Sequence, residues 1–257
     1  MRNITRKHSR EVYKATHTPG LIAERLEDGP ESIYLKDFIY GAIDGAVTTF
    51  AVVAGVAGAG LSSGIIIILG FANLFADGFS MAVSNYLGTR AENQLRDKAR
   101  QRELDEIQKY PQGEREEVRQ IYARKGFEGE LLEEVVTVIT ADRGQWVDVM
   151  LQEEHGMTLE NHNPWKGGVA TFVAFCLIGL IPLLPFLANW FVADLFAQPF
   201  LVSSVLTAIA FMVVGSMKAK FLNLSTLAAS IETLVIGGVA AALAYGVGVL
   251  LKGLVGV

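Results

Sequence analysis

Five stretches of the chain are apolar over 18 residues or more, at about 38–61, 64–87, 167–190, 200–217 and 227–251, and most of the charge lies outside them, in the N-terminal segment and in 88–166. Crossing a hydrocarbon core takes about 20 helical residues. Lipid cannot satisfy the backbone groups of an open strand, so each stretch is expected to be a helix. Pro182 and Pro185 are expected to kink the third span, and Pro199 sits where a first helical turn tolerates proline. Tyr40, Tyr86, Trp165 and Trp190 fall near span ends, where interfacial aromatics collect.

Between the second and third spans the pattern becomes that of soluble helices. Residues 89–109 contain no Pro or Gly and are expected to continue the second span out of the membrane as one helix, broken at Tyr110-Pro111-Gln112-Gly113. A second helix is expected from Glu114 to Arg124, closed by Gly126. A third region, about Gly129 to Glu154, carries the apolar stripe Leu131, Leu132, Val135, Val136 and Ile139. Asp142-Arg143-Gly144 is a candidate interruption, and Gly156 ends the region. The expected architecture is an all-α integral membrane protein with five transmembrane helices and a three-helix domain between spans 2 and 3. The divisions are 1–36, 37–88, 89–165 and 166–257.

Charge sets the expected orientation. Of the 22 Lys and Arg, all but Lys252 lie in the N-terminal segment, in 88–166, or in the Met217 to Phe221 stretch, which is expected to be a turn. Short positively charged flanks favour the cytoplasmic side, which places the N-terminus and 88–166 in the cytosol and the C-terminus outside. The 189–198 loop, with no Lys or Arg, agrees. The net charge of −5, with 17 of the 27 Asp and Glu in 88–166, argues against nucleic acid as a partner. Cys176, the only cysteine, lies in an apolar run and reads as a small buried hydrophobe. The charged first 36 residues show no secretory signal pattern.

An ionisable group inside a span costs about 2.5–3.5 kcal/mol even on lenient insertion scales and needs a reason. Asp44, Asp77 and Glu232 are such groups, and Asp37 stands at the mouth of the first span. Asp37 and Asp44 are seven residues apart on one helix face; Asn73, Asp77 and Met81 form an i, i+4, i+8 stripe. Two acids on adjacent spans with a thioether one turn away suggest a cation route. Carboxylates alone suit Mg²⁺ or Ca²⁺, and a thioether shifts the preference towards softer transition metals. The competing account is polar residues satisfied by helix packing. Gly41-xxx-Gly45 allows close helix approach, either across a dimer axis around Asp44 or within one subunit's bundle.

In the polar segment, Glu103 and Glu106, Glu114 and Glu117, and Met150 and Glu154 are spaced to point two ligands in one direction from each of three helices. Brought together they would form an oxygen-rich metal site with one sulfur. Solvated acidic helix faces show the same spacing. His155 and His162 read as exposed polar residues. No Glu-x-x-His or His-Glu-x-x-His occurs, which counts against a ferritin-like oxidase or a zinc protease.

The run from Tyr34 through Asp37-Phe38-Ile39-Tyr40-Gly41-Ala42-Ile43-Asp44-Gly45, with Thr48-Thr49-Phe50-Ala51, Asp77-Gly78-Phe79-Ser80-Met81 and Tyr86-Leu87, resembles the vacuolar iron transporter family. The similarity extends from residue 34 to the end, including Gly215-Ser216-Met217-Lys218-Ala219-Lys220, read as a turn, and Glu232. It implies a homodimer with a path between subunits, a cytosolic metal-binding domain joined to span 2, and exchange of Fe²⁺, in some members Mn²⁺, against protons. By the family's pattern the membrane ligands fall on Asp44 and Met81, with Asp37 near the cytosolic entrance. The cytosolic ligands fall on Glu103, Glu106, Glu114, Glu117, Met150 and Glu154. Plant-type members carry Glu where this chain has Asn73, which leaves Asp77 as the acid one turn on.

The expected activity is secondary transport of Fe²⁺ or Mn²⁺ out of the cytosol against protons, with no prosthetic cofactor. The expected membrane is the bacterial inner membrane, or the vacuolar membrane in a eukaryote. A membrane-anchored metal sensor or store is the alternative. No phosphate-cradling loop with a Lys is present, and no nucleophile and base are placed for an enzyme.

Overall fold

A computed structural model describes residues 11–28 and 34–255. The chain divides into two units, residues 1–36 and 37–257. In the first, residues 11–16 are helical and α1 spans Pro19–Asp28.

The second unit is helical, and its first helix begins two residues before the division: α2 (Leu35–Gly58), α3 (Ser63–Lys109), α4 (Pro111–Arg124), α5 (Gly129–Ala141), α6 (Arg143–Glu153), α7 (Pro164–Gly179), α8 (Leu184–Phe191), α9 (Pro199–Phe221) and α10 (Thr226–Val255). No strand occurs among the described residues. Among the described residues, five helical stretches are long and apolar enough to cross a membrane: Leu35–Gly58, Ser63–Lys109, Pro164–Phe191, Pro199–Phe221 and Thr226–Leu254. They fall where the sequence pattern puts them.

The third stretch is broken. Pro182 and Pro185 each lack an N–H, and the chain passes through a 3₁₀ turn at Ile181–Leu183 before resuming as α8. The buried Ser203 hydroxyl on α9 donates to the Pro182 carbonyl at 2.6 Å, so a neighbouring helix satisfies backbone at the break.

Small residues set the helix packing. A Cβ on Gly41 would lie 2.4 Å from the Thr171 carbonyl oxygen, and one on Gly45 would lie 2.4 Å from that of Phe175. The Gly41-xxx-Gly45 face is therefore used within the subunit, seating α2 on α7, rather than across a dimer axis. Further along, a Cβ on Gly248 of α10 would meet the Gly55 carbonyl oxygen at 2.1 Å.

Two expectations need correction. Met217 to Phe221, read as a turn, completes α9, and the chain reverses over residues 222–225 with Asn223 at φ 52. Lys218 and Lys220 occupy the last turn of α9, where cations oppose the helix dipole. The candidate interruption at Asp142-Arg143-Gly144 does divide the third polar region into two helices, so the domain holds four helical segments rather than the three expected. Asp142 lies in extended backbone between α5 and α6, and its carboxylate caps α6 by accepting from the Gln145 N–H at 2.7 Å.

Helix α3 has 47 residues, which at 1.5 Å per residue is about 70 Å, more than twice a hydrocarbon core of about 30 Å. Its C-terminal half must leave the membrane. There it packs with α4, α5 and α6 around a core of Ile107, Val118, Val136, Ile139, Trp146, Val147, Met150 and Leu151. The returning linker is fastened to α3: Asn93 donates to the His162 carbonyl at 2.9 Å, and Arg96 to the Thr158 carbonyl at 3.3 Å. Asn163 then caps α7, accepting from the N–H groups of Trp165 and Lys166.

Candidate metal site

The α3–α4 junction explains how acids separated in sequence meet. Pro111 cannot continue the hydrogen bonding of α3 and is favoured at the start of a new helix, so the chain turns at Tyr110. Glu103 and Glu106 occupy the last turns of α3, and Glu114 and Glu117 the first turns of α4. The carboxylates of Glu103, Glu106 and Glu114 each place an oxygen within 4.8 Å of the others. A second group shares Glu103: its carboxylate, that of Glu154 at the end of α6, and the His155 imidazole also lie within 4.8 Å of one another.

Burial separates these acids from the other charges of the domain. Glu103 is 1% exposed and Glu114 6%. Oε2 of each is buried without a hydrogen-bond partner among the described residues. Such a group costs about 1–3 kcal/mol, more if charged, and a cation, a proton or an ordered water on that oxygen relieves the cost. The outer acids differ: Glu133 accepts from Arg119 at 2.7 and 3.0 Å, Glu153 pairs with Lys125, and Asp148 pairs with Arg100. Glu106 lies between the two populations, joining the cluster while receiving Arg102 at 3.0 Å.

The electrostatics follow. Burial pushes the Glu114 carboxyl up to about 7, and Glu117, Glu103, Glu106 and Glu154 push in the same direction. Glu154 is also raised, first by burial and then by Glu103 and Glu117, with His155 opposing. Glu117 itself is exposed and acts on the cluster through its charge. Met150 is fully buried in the domain's apolar core, one helical turn before Glu154. The cluster is a concentrated set of hard oxygen donors with an imidazole at its edge, suited to a divalent cation.

His155, read from the sequence as an exposed residue, is instead folded inward: its side chain is 20% exposed and Nε2 lies 2.8 Å from Glu103 Oε1. The helix ends at Glu153, and Gly156 adopts φ 63, which turns the chain back. Helical spacing gives no hint of a residue placed by such a turn.

In the spans, Asp44 is half-buried on α2 and Asp77 is exposed on α3, close enough to interact electrostatically. Asn73 donates to the Thr48 hydroxyl at 3.4 Å, and Thr48 donates to the Asp44 carbonyl at 2.9 Å. Met81 is half-buried one turn beyond Asp77. Asp37 is held in a network: Asn85 donates to its carboxylate at 3.0 Å and to the Thr171 hydroxyl at 2.7 Å. Asn85 and Thr171 carry no spacing signal, because their partners lie 48 and 86 residues away. Glu232 is neutralised by Lys218 at 3.1 Å.

Residues 35–249 match the model of the VIT family. The chain belongs to that family. Among VIT relatives, the vacuolar iron transporter of Toxoplasma gondii is 34% identical over 96% of this chain and 85% of its own length. That of Plasmodium berghei is 30% identical over 95% and 91%, and vacuolar iron transporter 1 of Arabidopsis thaliana is 32% identical over 82% and 83%. These VIT proteins are named as transporters, and the protein is not an enzyme. The VIT match spans all five apolar helices and the acidic cluster between the second and third.

Proposed function

We propose that the protein exports Fe²⁺ or Mn²⁺ from the cytosol in exchange for protons. The observation that carries this reading is the pair of buried, unpartnered carboxylate oxygens of Glu103 and Glu114, set in an acid cluster on the extension of a membrane span. The relatives named as vacuolar iron transporters support metal as the substrate. In this account the cluster of Glu103, Glu106, Glu114, Glu117 and Glu154, with Met150 behind it, collects the ion on the cytosolic side. Asp37 stands near the entrance, and Asp44, Asp77 and Met81 line the crossing. Orientation rests on the Lys and Arg of 88–166 and the N-terminus.

Asp77 supports a homodimer. It is exposed on α3 between Phe75 (56%) and Phe79 (65%), and an acid facing lipid costs about 2.5–3.5 kcal/mol. A second copy against this face would remove that cost and enclose Asp44 and Asp77 in a shared path. Proton coupling follows from competition: carboxylates released by a divalent ion in a poorly solvated path take up protons, and alternating occupancy gives exchange.

One observation favours a second reading, a metal sensor or store without transport. Glu103 lies 26 residues beyond Asp77 on α3, about 40 Å along the axis, so the cluster is remote from the span acids. Counterflow separates the two: vesicles preloaded with Mn²⁺ should accelerate entry of labelled Fe²⁺ or Mn²⁺ through a transporter. A store gives no acceleration.

A further inference from the structure

We propose that His155 is a direct ligand, through Nε2, of the divalent ion held by Glu103 and Glu154, making the cytosolic site a mixed nitrogen and oxygen site. This rests on reading the acid cluster as a metal site and adds a residue that helical spacing does not supply. Two donors bound side by side to one small divalent ion at about 2.1 Å each are about 3 Å apart. His155 Nε2 and Glu103 Oε1 stand at 2.8 Å, and Glu154 completes the group within 4.8 Å.

A purely structural hydrogen bond would account for Oε1 of Glu103 only. Oε2 of the same carboxylate is buried and unpartnered, and Glu154 Oε2 stands 4.0 Å from the imidazole. One cation among the three side chains would occupy all of these atoms. The placement is also fixed: the His155 N–H donates to the Met150 carbonyl at 3.2 Å, Gly156 turns the chain, and Asn93 and Arg96 hold the following linker on α3. The consequence is selectivity. Carboxylates and water suit Mg²⁺ and Ca²⁺, whereas an imidazole favours Fe²⁺, Co²⁺ or Zn²⁺.

The test uses the full-length protein purified in detergent and loaded with Mn²⁺, read by nitrogen modulation in pulsed EPR. None of the four histidines, at positions 8, 17, 155 and 162, lies in a span, so an ion in the membrane path gives no histidine signal. The wild type should show nitrogen modulation that His155→Ala loses and His162→Ala keeps. His155→Ala should also lower the preference for Co²⁺ over Ca²⁺ in Mn²⁺ displacement about tenfold or more. Modulation that persists in His155→Ala, or Mn²⁺ bound by the wild type through oxygen alone, overturns the assignment of His155 while leaving the acid cluster standing. Mn²⁺ binding unchanged by Glu103→Gln with Glu114→Gln would remove the metal site itself, and the proposal with it.

Discussion

Glu103 and Glu114 bring carboxylate oxygens within 4.8 Å of each other across the Pro111 break, and each keeps one oxygen buried without a partner. An arrangement that is unfavourable when empty and charged is what a cation site requires. Glu103→Gln and Glu114→Gln should therefore raise the melting temperature of the chelator-treated protein in detergent and abolish most of the stabilisation that Mn²⁺ gives the wild type. Glu133→Gln is the control. It loses only an exposed, solvent-screened pair with Arg119, so the melting temperature should change little and the Mn²⁺ response should be retained.

The pH dependence has a definite sign. The folded Glu114 carboxyl titrates at about 7, above its ordinary value of 4.5, so between these values the folded protein holds more protons than the unfolded chain. This contribution lowers the stability of the metal-free domain as pH rises through that window. It is absent below the window and reaches a penalty of about 3 kcal/mol above it. Comparing wild type with Glu114→Gln between pH 5 and pH 8, in chelator, isolates the effect: the wild type should lose more stability than the variant. Metal affinity should change in the opposite direction, rising with pH as the ion displaces protons from Glu114 and Glu154.

Packing of α2 on α7 tolerates no side chain at two positions. Gly45→Leu and Gly41→Val drive a side chain into the backbone carbonyls of Phe175 and Thr171 and should eliminate monodisperse protein in detergent. Gly238→Ala, with open space at its Cβ position, should behave as wild type in the same size-exclusion assay.

Orientation is tested by reporters. A fusion in the 125–130 segment should be cytosolic, and one at the C-terminus should lie on the opposite face, because three spans separate that segment from the C-terminus. Both reporters on one side would contradict the proposed topology.

The fold was legible wherever local chemistry decides it. Apolar runs located the five spans, Pro182 and Pro185 marked the break in the third, and Tyr110-Pro111 marked the turn that joins the two glutamate pairs. The pairs at 103 and 106, 114 and 117, and 150 and 154 were visible as helical spacing, and Glu103, Glu106, Glu114 and Glu154 do converge. Spacing could not distinguish the buried Glu103 from the exposed Glu117, because burial depends on which helices pack on that face. His155 was misread because a backbone reversal at Gly156, rather than a helix face, directs it inward. The Met217 to Phe221 stretch was misread because lysines at a helix C-terminus look like a polar turn.

The central claim is that metal crosses the membrane past Asp44. Fe²⁺ and Mn²⁺ flux into proteoliposomes at several imposed pH gradients tests it most directly, with Met81→Leu included to show altered discrimination between the metals. Wild-type flux should rise with a proton gradient directed against the metal, weaken in its pH dependence in Asp77→Asn, and vanish in Asp44→Asn. Full activity in Asp44→Asn, or wild-type flux indifferent to the gradient, would contradict the account.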